Sequence, residues 1–198
     1  MNGIAHLPAF LLAAALMILV PGPATLYVAG QVRYSTRRGY LATLGIIGGD
    51  VILIAFSGLG FATLVHTWPL LLEVIKVCGG LYLAFLGLAM YNSPAPEAAP
   101  GSAGADSVFQ ALLVTLTNPK SILFFAAFFP LFIDRSTGTE VQSYYLLGFM
   151  FEALNIVYFA TVVALVSHLR TLPAASRLPL HKLSACALML CSVFVLTA

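Results

Sequence analysis

Apolar residues run in long blocks divided by short polar intervals, and this pattern places the elements. Blocks at about 7–32, 40–65, 70–91, 108–133, 141–168 and 180–198 are each near the ~20 residues a helix needs to cross the hydrocarbon core. One interval, 92–107, holds Pro94, Pro96, Pro100, Gly101 and Gly104 among Ala and Ser, and reads as the only linker. It divides a single transmembrane domain, 1–198, into one group of three helices over about 1–91 and another over about 108–198. An odd number of spans per group turns the second group upside down relative to the first. The expected fold class is an all-α integral membrane protein of about six transmembrane helices, built as two inverted three-helix repeats.

The first block is interrupted by Pro21-Gly22-Pro23. Two prolines remove two backbone donors, so a helix entering at Leu7 cannot pass Pro23 intact. In hydrocarbon such a break survives only where protein or a water-lined cavity satisfies the freed groups, here the carbonyls of Met17 and Leu19. An offset of 97 lays Leu116 to Ala126, with Asn118-Pro119-Lys120 at its centre, over Leu19 to Ala29. Matching breaks in the first helix of each half point to a transporter with its site near the bilayer midplane.

Composition agrees with the pattern. With 61% hydrophobic and 8% charged residues, the chain is far more apolar than a soluble domain. A net charge of +2 gives no footprint for nucleic acid. Cys78, Cys186 and Cys191 lie in apolar blocks without CxxC spacing and are expected to be small buried hydrophobes. Residues Met1 to Phe10 carry no Lys or Arg, so the first span is expected to stay in the mature protein.

Cations set the expected orientation. Arg33, Arg37 and Arg38 follow the first span, and Arg170, Arg177 and Lys182 follow the fifth, so both groups fall on one side, the cytoplasm by the positive-inside rule. Both termini are then periplasmic. Trp68 suits an interfacial anchor, and Gly45 and Gly49 form a GxxxG pair expected to bring helices close.

Three ionisable residues fall deep in the predicted hydrocarbon: Asp50, Lys120 and Glu152. Asp50 is about ten residues into its span, roughly 15 Å, and Glu152 about eleven, roughly 16 Å. Each costs about 2.5 to 3.5 kcal/mol on insertion scales, which argues for a polar cavity used in transport over decoration. Lys120 is expected between the two acids. Thr43, Asp50 and Ser57 share one face of span two, and Gly148, Glu152 and Asn155 one face of span five.

Enzymatic readings find little support. His6, His66, His168 and His181 lie at predicted membrane edges or loops, away from any nucleophile arrangement, and no HExxH, CxxC or Gly-rich phosphate loop occurs. No cofactor or metal is called for. The alternatives are export of a divalent metal or another small solute, and a non-transporting scaffold subunit. Lys120 argues against metal, and a scaffold needs no midplane charge. A membrane thiol-disulfide carrier would need a cysteine in each break, where this chain has none.

Pro21-Gly22-Pro23, GIIGGD over Gly45 to Asp50, KVCGGLYLAFLG over Lys76 to Gly87 and TNPKSILFFAAFFP over Thr117 to Pro130 together resemble the LysE/RhtB amino-acid exporters of bacteria. The resemblance implies a multi-pass inner-membrane carrier that exports amino acids or close derivatives, driven by protons, with no enzymatic activity. Its partners would be an amino acid, protons and the lipid bilayer, with room for a homo-oligomer. Pro21, Gly22, Pro23, Asn118, Pro119 and Lys120 match the two family motifs, and Asp50 matches an acid after the span-two glycines. Glu152 has no counterpart, and Ser184 to Ala198 lacks the glycines usual in the last span.

Overall fold

The computed structural model describes residues 3–92, 107–134 and 136–169, together with 186, 189 and 193. The predicted linker and sixth span fall almost wholly outside these residues. The described elements are helices: α1 Leu7–Leu19, α2 Pro23–Tyr34, α3 Thr36–Thr67, α4 Pro69–Asn92, α5 Ser107–Leu116, α6 Pro119–Leu123 and α7 Glu140–Leu169. A π-helical stretch Phe124–Phe128 and a 3-10 turn Phe129–Phe132 continue α6. Thus α1 with α2, α3, α4, α5 with α6, and α7 occupy the first five apolar blocks.

Both expected breaks are present. The pair α1 and α2 bends by 50°, and α5 with the helix from Pro119 to Phe132 bends by 51°. In each, proline opens the second half at N1, where its missing N–H costs nothing. The halves are not related by one offset, however. The first halves end at Leu19 and Leu116, 97 apart, but the second halves open at Pro23 and Pro119, 96 apart. The second break is one residue shorter, and in it Asn118 caps the following helix with its side chain: its Oδ1 accepts from the Lys120 N–H at 3.1 Å.

The helices α3 and α7 are long and apolar enough to cross a bilayer alone, and each bent pair taken as one span brings the total to four. Their outer faces are apolar, with Phe56 and Phe149 both 72% exposed. Cys78 and Cys186 correct the expectation of buried thiols, because both are exposed, and Cys191 lies outside the described residues. A thiol is apolar enough to face lipid, so membrane placement does not require it to be inside.

Inside, the larger core cluster joins α1, α3, the Phe-rich stretch and α7. Phe10 meets Phe129 and Phe132 edge-on, each at 5.4 Å. The π-helical register ends for a local reason. Phe129 N–H bonds to the Phe124 carbonyl, five residues back, and the next such donor would come from Pro130, which has none. The carbonyl of Phe125 is left free, and the Tyr144 hydroxyl donates to it at 2.8 Å. Tyr144 thereby fixes α7 against the bend.

Gly45 and Gly49 do make a close helix contact, with α5 as the partner. A Cβ on Gly45 would strike the Val108 carbonyl and lie 2.7 Å from Ala111 Cβ, and one on Gly49 would lie 2.6 Å from Thr115 Cβ. This contact seats α3 beside the second break and so fixes where Asp50 projects.

Candidate functional site

The two breaks meet. Pro21 cannot donate to the Met17 carbonyl, and α1 ends in an extended Val20 whose own carbonyl is also turned out. Lys120, from the second break, supplies both missing donors: its Nζ donates to Met17 O at 3.1 Å and to Val20 O at 2.9 Å. A cation at the carbonyl end of a helix also complements the helix dipole. Sequence reasoning named Met17 and Leu19 as the freed carbonyls; the chain's turn after Leu19 presents Val20 instead.

Gly22 is the N-cap of α2 and packs against the lysine stem. A Cβ there would meet Lys120 Nζ at 3.4 Å, an ordinary contact, so the space alone does not demand glycine. Asn118, 3% exposed, ties down the first turn of α6 with both ends of its amide, because its Nδ2 also donates to Ser121 Oγ at 3.3 Å.

Asp50 on α3 is buried and faces this junction. Its Oδ2 accepts from Asn155 Nδ2 of α7 at 3.0 Å, Oδ1 has no hydrogen-bond partner, and the Lys120 ammonium lies within its electrostatic reach. Glu152, one turn before Asn155, is buried too, and neither of its oxygens has a hydrogen-bond partner. The expected position of Lys120 between the two acids is realised only on the Asp50 side. Lys120 is turned toward the first break, and the charged neighbour of Glu152 is Asp50.

A cavity of about 40 Å³ lies at the junction, lined among others by Met17, Gly22, Asp50, Asn118, Lys120 and Asn155. That is room for about three waters at about 10 to 15 Å³ each. Its apolar wall includes Ile46, Phe124, Phe151 and Phe159. Pro21, Pro23 and Pro119 shape the bends without lining the space, and Glu152 lies outside it.

Among the lining residues that escaped the sequence-based selection, Thr25 and Tyr158 form a hydrogen-bonded pair. Thr25 lies in the first turn of α2, and its hydroxyl is 3.1 Å from that of Tyr158. The signal was available, since Glu152, Asn155 and Tyr158 recur every three residues and extend the polar stripe of α7 by one turn. Of the stripe on α3, Thr43 and Asp50 are buried, but Thr43 turns its hydroxyl back to the Gly39 carbonyl at 3.0 Å. Ser57 bonds to the Tyr144 hydroxyl rather than facing the cavity.

Comparison with known proteins bears on the same residues. The chain matches the LysE type translocator family over residues 15–198, which includes both breaks and both acids. It is 32% identical over 170 residues to the leucine efflux protein of Klebsiella pneumoniae, covering 81% of this chain and 79% of that one. The leucine efflux protein of Salmonella choleraesuis is 33% identical over 177 residues, covering 84% and 82%. That of Enterobacter sp. is 33% identical over 167 residues, covering 81% and 79%. No solved structure matches. With the family match spanning nearly the whole chain and helices fit to cross a bilayer, this protein belongs to the LysE type translocators, and is a multi-pass membrane transport protein rather than an enzyme.

Proposed function

We propose that this chain is a secondary transporter that exports apolar amino acids, leucine first among them, across the bacterial inner membrane in exchange for protons. The observation that carries this is the pairing of opposite charges in one cavity: Lys120 at the meeting of the two breaks and Asp50 facing it. A zwitterion matches such a site. Its carboxylate suits the amide-rich start of α2 beside Gly22, with the lysine ammonium adjacent. Its ammonium group suits Asp50, and Ile46, Phe124, Phe151 and Phe159 offer an apolar wall to its side chain. The names of the relatives, leucine efflux proteins, support the choice of solute.

An amino acid is larger than the few waters this cavity holds, so loading requires the half-helices to part. The 50° and 51° bends are the natural hinges, because each already lacks continuous backbone hydrogen bonds. In this reading six spans form two inverted repeats, the termini are periplasmic and Arg33 to Arg38 are cytoplasmic. Substrate leaves outward as a proton takes its place on Asp50. Pro21, Gly22, Pro23, Asn118, Pro119 and Lys120 form the moving junction, with Glu152 as the second acid.

Efflux of labelled leucine from preloaded cells tests the proposal. Cells lacking their own leucine exporters should lose leucine faster when they overproduce this chain, and a proton uncoupler should remove the difference. If leucine, isoleucine, valine and methionine all leave at the rate of vector-only cells, the reading fails.

A further inference from the structure

Asp50 and Glu152 lie on facing helices and open to opposite sides of the α3–α7 seam. Asp50 lines the inner cavity, whereas Glu152 lines a separate groove of about 260 Å³ between the helices. Its other walls are Val51, Ile54, Ala55, Tyr145, Gly148 and Phe149, and with Val51 51% and Phe149 72% exposed it opens to the lipid-facing surface. The Tyr145 hydroxyl is already engaged, donating to the Ala55 carbonyl at 3.3 Å. Glu152 is therefore a carboxyl group, 8% exposed, in an apolar groove with no donor on either oxygen.

The ionisable groups around it count unequally. Among the described residues, α3 contributes Asp50, α6 contributes Lys120 and α7 contributes Glu152, while the Tyr144 and Tyr158 hydroxyls are tied to Phe125 O and Thr25. Together these make one ammonium and two carboxyl groups. With both ionised the interior carries an uncompensated negative charge, which a low-dielectric surrounding disfavours; one proton restores neutrality. The donors decide where it sits. Asp50 accepts from the Asn155 amide at 3.0 Å and has the Lys120 ammonium to hold its charge, while Glu152 shares the influence of the same Asn155 amide without a formed hydrogen bond and has the Asp50 carboxyl as its charged neighbour.

We propose that Asp50 and Glu152 act as a pair holding one resident proton, seated on Glu152, and that Glu152 passes this proton to Asp50 as the ammonium group of the substrate departs. The O–H bond on Glu152 breaks as one forms on Asp50, and the pair keeps the same total charge throughout. Glu152 regains a proton before the next cycle. The transfer step rests on the transport reading above, but the resident proton does not, so the two can fail separately.

The test uses the full chain in lipid nanodiscs, without transport. Infrared spectroscopy at neutral pH should show the C=O stretch of a protonated buried carboxyl in the wild type, lost in Glu152→Gln. Lys120→Met, with two acids and no cation, should double it. Dicyclohexylcarbodiimide, a lipophilic reagent that adds to protonated carboxyl groups, locates the proton. After rearrangement to the N-acylurea, peptide mass spectrometry should find the whole reagent on Glu152 and none on Asp50, with labelling falling as the pH is raised. Absence of the carboxyl band in the wild type overturns the shared proton. A band accompanied by an adduct on Asp50, or by none on Glu152, overturns its seat. Efflux of leucine with no such band would leave the transport reading standing and this one refuted.

Discussion

Lys120 Nζ donates to the carbonyl of Val20 at 2.9 Å, a contact between residues 100 positions apart that ties one broken helix to the other. The same ammonium group compensates Asp50, so it serves backbone and side chain together. Removing it would orphan two carbonyls and leave Asp50 without its cation, so that the acid must stay an unpaired buried charge or take up a proton, at a cost of about 3 to 5 kcal/mol. Lys120→Met should therefore lower expression and melting temperature far more than Lys120→Arg, which keeps charge and donors. Thermal unfolding of both variants in detergent measures this. Equal melting of Lys120→Met and wild type would mean the contact carries no stability.

How much of this was legible follows from what each signal encodes. Proline removes a donor wherever it stands, so both breaks could be read from Pro21, Pro23 and Pro119, and even the freed Met17 carbonyl followed by counting back four residues. The freed Val20 carbonyl did not, since it depends on the φ and ψ of the break. Nor did the slip from 97 to 96, which depends on where each second half takes up helical φ and ψ. Helical periodicity put Asp50 and Asn155 on polar faces, and those faces meet. It could not say that Glu152, on the same stripe, is rotated toward the outer groove, because a single turn of helix covers both sides of a seam.

The glycines of α3 offer a contrast between packing and propensity. Gly45 is pressed onto the Val108 carbonyl, while a Cβ on Gly60 would meet nothing within 4 Å. Gly45→Ala should destabilise by about 1 to 3 kcal/mol, as overpacking does. Gly60→Ala should stabilise by up to about 1 kcal/mol, because alanine is the better helix former. Melting temperatures of the purified variants should move in opposite directions. A shift of both in one direction would remove the α3–α5 contact as the reason for Gly45.

Asp134, in the loop before α7, offers a pH test outside the membrane. The Ser136 hydroxyl and backbone N–H both donate to its Oδ1, at 2.6 and 2.9 Å, and hold its carboxyl below the usual value of 3.8. A lowered folded value means the stabilisation is complete above the unfolded value and is lost as pH falls through the folded one. The loop also anchors the N-terminal segment, since Asp134 N–H donates to the Gly3 carbonyl at 3.1 Å. Hydrogen exchange at the Ser136 amide should accelerate, relative to its intrinsic rate, only below about pH 4, and Asp134→Asn should lose that pH response. An unchanged pH response in the variant would assign the effect elsewhere.

The decisive variant for transport is Asp50→Asn. The amide is nearly the same size as the carboxyl group and can still meet Asn155, so the α3–α7 contact should persist and the protein should insert and fold. It can neither hold the ammonium group of the substrate as an anion nor take up the proton that replaces it. Outward pumping against a leucine gradient needs both events in every cycle, so an imposed pH gradient should no longer accelerate efflux from vesicles. Exchange of labelled for unlabelled leucine needs no net protonation and should remain, with weakened affinity because the anionic partner is gone. Glu152→Gln should also blunt the response to the pH gradient, but without the loss of affinity, since Asp50 still faces the cavity. Comparing the two variants for gradient response and for half-saturation of exchange separates binding from proton delivery. If Asp50→Asn follows the pH gradient as the wild type does, Asp50 is not where substrate and proton alternate, and its burial beside Asn155 is structural.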